Sequence, residues 1–266
     1  MSQLPIPSIP DLGTKNDEIT IFAGPCSVES AEQFDEVASC IEGLGLTWIR
    51  GGAFKPRTNP HSFQGLGEEA LRIMKESGEK HHLKTLTEVM DSAHCELVHS
   101  YVDGLQVGAR NFQNFSLLKK IGEVTAESHK PVLYKRGFAG TVAEWLAATD
   151  YITDKGNDNV ILCERGIRTF ETATRFTLDI ATVPVVHKQS LYPICIDVSH
   201  PAGQRDLVPS LAYAAVAAGA DSIMIEVHPN PQVALSDGPQ QLTPEQFEIL
   251  VHNLREIADV FGKKIV

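Results

Sequence analysis

Short apolar runs rich in β-branched residues recur along the chain and alternate with longer stretches of helical periodicity. The runs fall at 19–23, 47–50, 84–87, 104–107, 132–135, 160–163, 194–197 and 222–227. They are almost continuously hydrophobic, the pattern of parallel strands buried on both faces. Two of the intervening stretches carry clear end signals. The segment 207–219 follows Asp206, has Pro209 near its first turn and ends on Gly219, so it predicts a helix. In the last stretch, Thr243 and Gln246 form a capping-box pair around Pro244. Phe247, Leu250, Val251, Leu254, Ile257, Ala258 and Phe261 then line one face, and Gly262 closes it. Eight strand–helix units in about 250 residues predict a single-domain (β/α)8 TIM barrel. An open doubly wound sheet is the competing architecture, but no GxGxxG follows any strand. We read residues 1–18 as a lead segment and 19–266 as the barrel.

Composition narrows the function classes. The chain has 266 residues, 34 acidic and 23 basic, for a net charge of −11. An acidic chain without a basic tract argues against nucleic acid or an anionic membrane surface as partner. No apolar run reaches membrane-spanning length, and the first residues do not form a signal peptide. Five widely spaced cysteines point to a reducing cytoplasm and away from a disulfide framework.

Such a protein should repel anionic metabolites, unless its cations are gathered in one place. In a (β/α)8 barrel the C-terminal strand ends converge on one mouth. Arg50, Lys55, Arg57, Arg110, Lys135, Arg136 and Arg165 all lie at or near those ends. Each alone is an ordinary surface charge. Together they suit a small substrate carrying phosphate and carboxylate groups. Cys26, His200, Glu226 and Asp237 also lie at or just after strand ends. Thiolate, imidazole and carboxylates suit a borderline divalent metal such as Mn²⁺, Fe²⁺, Co²⁺ or Zn²⁺. No short spacing marks that site, and a buried cysteine or a capped loop histidine accounts for each residue taken singly. Cys40, Cys95, Cys163 and Cys195 read as structural. The remaining histidines, including His228, have no selecting pattern. Gly65 and Gly67 read as a turn and Asp103 as a cap, whereas Lys188 and Arg205 fit the mouth or solvent equally well.

The segments GPCSVES (24–30), RGGAFKPRTNPHSFQGLG (50–67), TEVMD (87–91), LQVGARNFQNF (105–115), PVLYKRG (131–137), ILCERGIRTF (161–170), DVSHPAGQRDLV (197–208) and IEVHPNPQVALSDGPQQL (225–242) resemble 3-deoxy-D-arabino-heptulosonate 7-phosphate (DAHP) synthases. The likeness is to their compact type I beta branch, shared with 3-deoxy-D-manno-octulosonate 8-phosphate (KDO8P) synthases, and runs from about residue 18 onward. It implies a metal-dependent barrel that condenses phosphoenolpyruvate with erythrose 4-phosphate and releases phosphate, the entry step of the shikimate pathway. It also implies a homo-oligomer, tetramer or dimer. By the same resemblance, Cys26, His200, Glu226 and Asp237 match the metal ligands. Arg50, Lys55, Arg110, Lys135 and Arg165 match the phosphoenolpyruvate-binding groups, and Arg57 and Thr58 those that hold the aldose phosphate. Lys135 is the candidate proton donor, with His200 and Cys26 the other catalytic candidates.

Lys-Pro-Arg-Thr at 55–58 favours erythrose 4-phosphate, because the octulosonate enzymes carry an Asn-containing sequence there. Cys26 indicates the metal-dependent form. Two positions depart from the family pattern: Val198 stands where proline is usual, and Pro201 where a small residue is common. The fused regulatory extension of many relatives has no counterpart, implying no feedback by that route. The alternatives are a KDO8P synthase using arabinose 5-phosphate, a metal-dependent aldolase, and a non-catalytic barrel that binds a phosphometabolite.

Overall fold

A computed structural model of the chain describes residues 17–56 and 59–266. Most of the lead segment, and with it Arg57 and Thr58, therefore lies outside the described residues. Eight parallel strands form the wall: β1 (Glu18–Gly24), β2 (Trp48–Arg50), β3 (Lys84–Val89), β4 (Gly104–Val107), β5 (Val132–Lys135), β6 (Val160–Glu164), β7 (Ile194–Asp197) and β8 (Ser222–Glu226). Each pairs with the next, and β1 pairs with both β2 and β8, which closes the barrel. The helices that cover it are α1 (Ala31–Gly43), α2 (Glu68–Lys80), α3 (Cys95–Tyr101), α4 (Phe115–Thr125), α5 (Val142–Thr153), α6 (Thr182–Gln189), α8 (Val208–Ala218) and α9 (Pro244–Val260). A single turn, α7 (Ser199–Ala202), follows β7. All eight predicted strands are present, with ends shifted by no more than two residues. Besides short 3-10 turns, two elements among the described residues were not foreseen: α7, and a two-residue strand β9 (Lys264–Ile265) that pairs with Glu18 and Ile19 at the start of β1. Neither is long enough to show a period. No helix among the described residues is long and apolar enough to cross a membrane.

Strand alternation divides the apolar residues into two cores. Phe22, Trp48, Leu86, Leu133, Ile161, Cys163, Cys195 and Met224 fill the barrel interior. Their chain neighbours, such as Ile21, Ile49, Val132, Leu162 and Ile223, pack outward against the helices. This period of two fixes which strand-end residues face the mouth. Arg50 lies two beyond Trp48, Lys135 two beyond Leu133, Arg165 two beyond Cys163, Asp197 two beyond Cys195 and Glu226 two beyond Met224. All five inherit the inward direction.

The helices form as their sequences dictate. α9 has the predicted capping box, with Thr243 accepting from Gln246 N and the Gln246 side chain returning to Thr243 N. It buries Phe247, Leu250, Val251, Leu254 and Ala258. α8 ends on Gly219 at φ +93°. Gly65 and Gly67 are turn residues at positive φ, and Asp103 accepts from Thr85 N at 2.8 Å, as read. Gly24 is required where β1 meets the mouth. Its φ is +146°, and a Cβ there would sit 2.0 Å from the Arg50 carbonyl oxygen, so only glycine lets the chain turn across β2.

Candidate active site

The mouth holds a cavity of about 270 Å³ whose walls include Arg50, Lys55, Arg110, Lys135, Arg165 and His200. Arg50, Lys135 and Arg165 are buried, whereas Arg110 stands exposed at the rim. Five of the seven cations read from the sequence line this cavity, Arg57 lies outside the described residues, and Arg136 is a correction. Arg136 is one residue out of phase with Lys135, so it points outward into the helix layer. Its Nη1 donates to Glu164 Oε2 (3.0 Å), Asp179 Oδ2 (2.8 Å) and Thr182 Oγ1 (3.0 Å). It braces β5, β6 and α6 and does not line the cavity.

Cys26, His200, Glu226 and Asp237 converge, with one ligand atom from each lying within 4.8 Å of the others. Cys26 Sγ is 3.6 Å from Asp237 Oδ2, and His200 Nε2 is 3.5 Å from Glu226 Oε1 and 3.7 Å from Asp237 Oδ2. Glu226 reaches the site along β8, and Cys26 by the Gly-Pro-Cys-Ser turn after β1. His200 sits in α7, where Val198 and Pro201 are accommodated: Ser199 Oγ accepts from Glu226 N (2.9 Å), and the Pro201 carbonyl accepts from Phe176 N (3.1 Å). Asp237 comes from a long loop and adopts φ +50°, uncommon for a residue with a side chain. That loop is pinned to β1's end, since Glu29 Oε1 accepts from Leu235 N (2.9 Å) and Ser27 Oγ lies 2.7 Å from Ser236 Oγ. His228 is a structural member of this clamp, 3.3 Å from Glu29 Oε2.

The donor set and its protonation fit a divalent metal. Burial drives the His200 imidazole below its ordinary value despite the nearby carboxylates, so it is neutral at pH 7. Its Nδ1 lies 2.7 Å from Asp197 Oδ2, at an angle short of a regular hydrogen bond. That contact places the ring proton on Nδ1 and leaves the Nε2 lone pair toward the other three ligands. Burial, reinforced by Glu226, pushes the Cys26 thiol up to about 11. A metal would take this ligand by displacing a proton.

Cys26, Glu226 and Asp237 each also touch a cation of the cavity wall. Arg50 Nη1 donates to Glu226 Oε1 (3.1 Å), Lys55 Nζ to Cys26 Sγ (3.0 Å), and Arg175 Nη1 lies 3.1 Å from Asp237 Oδ2. Lys135 Nζ is 2.6 Å from Asp197 Oδ2, the same oxygen that faces His200. Burial works against the Lys135 ammonium, but Asp197, acting together with Cys163, holds the group above its ordinary value. Arg165 has no such carboxylate. Burial lowers it, its Nη1 is buried without a hydrogen-bond partner, and its guanidinium lies 4.9 and 4.3 Å from the stacked rings of Phe138 and Phe176. An unpaired guanidinium held over an aromatic pair is a ready anion receptor.

Glu88, Gln106 and Arg175 are among the wall residues that escaped the sequence reading. Glu88 and Gln106, joined at 3.2 Å, share strand parity with Leu86 and Gly104 and could have been found by counting in twos. Arg175 stands in the irregular segment between β6 and α6, where no period operates. Of the two ambiguous cations, Arg205 supports the Asp237 loop by donating to the Gly238 carbonyl (3.1 Å), and Lys188 is exposed on α6.

Comparison with known proteins gives one consistent result. Residues 11–260 match the DAHP synthetase I family. A phospho-2-dehydro-3-deoxyheptonate aldolase of Thermotoga maritima is 49% identical over 255 residues, covering 96% of this chain and 74% of that protein. The crystal structure of a T. maritima DAHP synthase superposes with a TM-score of 0.91 at 49% identity, over 96% of this chain and 74% of that one. A truncated form of the T. maritima enzyme gives 0.87 at 46% identity, over 94% and 90%. A 2-dehydro-3-deoxyphosphooctonate aldolase of Caulobacter vibrioides is 32% identical, over 90% of this chain and 87% of its own.

Proposed function

The chain belongs to the DAHP synthetase I family, and from that premise we propose how its barrel mouth works. It is a transferase that condenses phosphoenolpyruvate with D-erythrose 4-phosphate, giving DAHP and phosphate at the head of the shikimate route to aromatic amino acids. One observation carries the assignment of the site. Four metal-competent ligand atoms lie within 4.8 Å of one another, in a cavity walled by buried cations.

Arg165, Lys135, Arg50 and Lys55 hold phosphoenolpyruvate by its phosphate and carboxylate, with Arg110 closing the rim. Arg57 and Thr58 hold the aldose phosphate. Gathering two phosphorylated anions requires this density of cations, and their low-dielectric setting strengthens each contact. Cys26, His200, Glu226 and Asp237 hold a divalent ion, which when bound supplies a Lewis acid for the aldehyde oxygen. C3 of phosphoenolpyruvate forms the new carbon–carbon bond to the aldehyde carbon. Lys135, kept as an ammonium by Asp197, gives its proton to the alkoxide oxygen that results. Water then adds at the electron-poor C2 and returns a proton to Lys135, and phosphate leaves with its C–O bond electrons, taking the proton of the C2 hydroxyl as the carbonyl forms. Asp197 orients both Lys135 and His200 through one oxygen, so the proton donor and a metal ligand are set in a common frame. Fixed orientation of the two substrates contributes several kcal/mol to such a step, within the ~7–11 kcal/mol open to intramolecular arrangement. The protein acts in the cytoplasm as a homo-oligomer.

The octulosonate reading shares the fold and the first substrate. It is disfavoured by Lys-Pro-Arg-Thr at 55–58 and by 32% identity against 49%. The test is a phosphate-release assay with erythrose 4-phosphate and arabinose 5-phosphate, each with and without a chelator. We expect turnover with the four-carbon aldose, lost on chelation. Equal or reversed aldose rates would move the chain to the octulosonate branch, and chelator-resistant turnover would remove the metal.

A further inference from the structure

We propose that Arg175 is a positioning residue for the metal ligands. It draws Asp237 and Glu226 into one rigid arrangement and ties that arrangement to the anion site around Arg165. The inference rests on the metal-site reading above and deepens it.

The guanidinium stands at a junction. Arg175 Nη1 is 3.1 Å from Asp237 Oδ2 and donates to Gln240 Oε1 at 2.8 Å. The Gln240 amide in turn donates from Nε2 to Glu226 Oε2 at 2.6 Å. One side chain thus supports two carboxylates, one directly and one through a buried amide. Asp237 needs such support more than its partners do. Glu226 ends a strand, Cys26 lies two residues past the end of β1 and His200 sits in a helical turn, whereas Asp237 holds a positive φ on an irregular loop. The fold makes room for this contact. Gly203, at φ +67°, ends α7, and a Cβ there would sit 2.7 Å from Arg175 Cβ. Arg175 therefore packs directly against the turn that carries His200.

The next residue faces the other subsite. The Phe176 ring lies 4.3 Å from the Arg165 guanidinium, whose Nη1 has no partner. Phe176 N is also fixed, donating to the Pro201 carbonyl. Successive residues of one segment thus contact a metal ligand and the anion receptor.

Two effects of a cation at Asp237 oppose each other. Its charge repels a divalent ion, while its hydrogen bonds fix the geometry of two ligands. Support of ligands by outer partners is worth about 10–100-fold in metal affinity. Arg175 is partly open to solvent, with 36% of its side-chain surface exposed, which weakens the repulsion. Positioning therefore wins.

The test measures Mn²⁺ affinity without substrate, from the electron paramagnetic resonance signal of free Mn²⁺, together with the melting temperature of the metal-free protein. Wild type should bind Mn²⁺ and Cys26→Ala should not, which checks the metal reading on its own. Arg175→Ala should raise the Mn²⁺ Kd by ~10–100-fold with little change in the metal-free melting temperature. Arg175→Lys should recover part of the loss, because an ammonium reaches Asp237 without the guanidinium fork. Gln240→Leu should weaken binding in the same direction, and the double variant should fall short of the sum. Unchanged or tighter Mn²⁺ binding by Arg175→Ala, in a protein whose wild type binds and whose Cys26→Ala does not, overturns the inference alone. Absence of wild-type binding overturns the metal site itself.

Discussion

Asp197 faces both Lys135 and His200 through one oxygen, and Asp197→Asn tests that role. The carboxylate is buried, with Oδ2 2.6 Å from Lys135 Nζ and 2.7 Å from His200 Nδ1, while Oδ1 accepts from His200 N at 3.1 Å. The amide keeps the shape and removes the charge. At 2.6 Å and an effective dielectric constant of about 20, the Lys135 attraction alone is on the order of 6 kcal/mol before the loss of hydration is subtracted. Removing one member of a buried pair costs about 3–5 kcal/mol in practice.

The signs for the two partners agree at neutral pH. The Asp197 carboxyl is held well below its ordinary value, because His200, once protonated in acid, and Lys135 outweigh its burial. Its contribution is present above the unfolded carboxylate value and lost as pH falls through the folded one. Lys135 is held above its ordinary value, so its contribution is present below the unfolded lysine value and lost as pH rises through the folded one. Both are intact at pH 7. At about 2–4 °C per kcal/mol for a domain of this size, the variant should melt roughly 6–20 °C lower at pH 7 by scanning calorimetry. Without its carboxylate, Lys135 is governed by burial, which disfavours the ammonium. The alkaline limb of the kcat/KM profile for phosphate release should therefore move to lower pH. A melting temperature within about 2 °C of wild type, with an unmoved alkaline limb, would refute the reasoning.

Two further outcomes follow from the geometry. Because the Cys26 thiol is pushed up to about 11, binding through it displaces one proton, and between pH 6 and 8 the metal Kd should fall about tenfold per unit rise in pH. A Kd that does not change with pH would exclude the thiolate as ligand. Arg136→Met should destabilise the fold by about 3–5 kcal/mol in a denaturant titration, since it strands the buried carboxylate of Glu164. The KM for phosphoenolpyruvate should stay near wild type, and a large rise would place Arg136 in the site after all.

The barrel was legible because buried parallel strands are written as plain apolar runs, and the chain has eight of them. The mouth was legible to the extent that strands carry residues into it. Cys26, Arg50, Lys135, Arg165 and Glu226 could be placed from strand ends alone. Lys135 and Arg136 are adjacent in sequence and both basic, and only strand parity separates the inward group from the outward one. Glu88 and Gln106 were available by the same counting. Arg175 was not: a loop has no period, and its position depends on long-range contacts to Asp237 and Gln240. β9 and α7 fall below the length at which periodicity can be detected at all.

The placement of Arg165 has a consequence for how long the protein lasts. Folding strips this guanidinium of water, sets it over two rings and leaves one nitrogen unsatisfied, so the native state carries a group that a hydrocarbon side chain would outperform. An anion bound there would relieve that burden only in the folded form, and such ligands shift the folding equilibrium in proportion to the logarithm of their concentration. On the function proposed above, resistance to heat should therefore rise with the concentration of phosphoenolpyruvate.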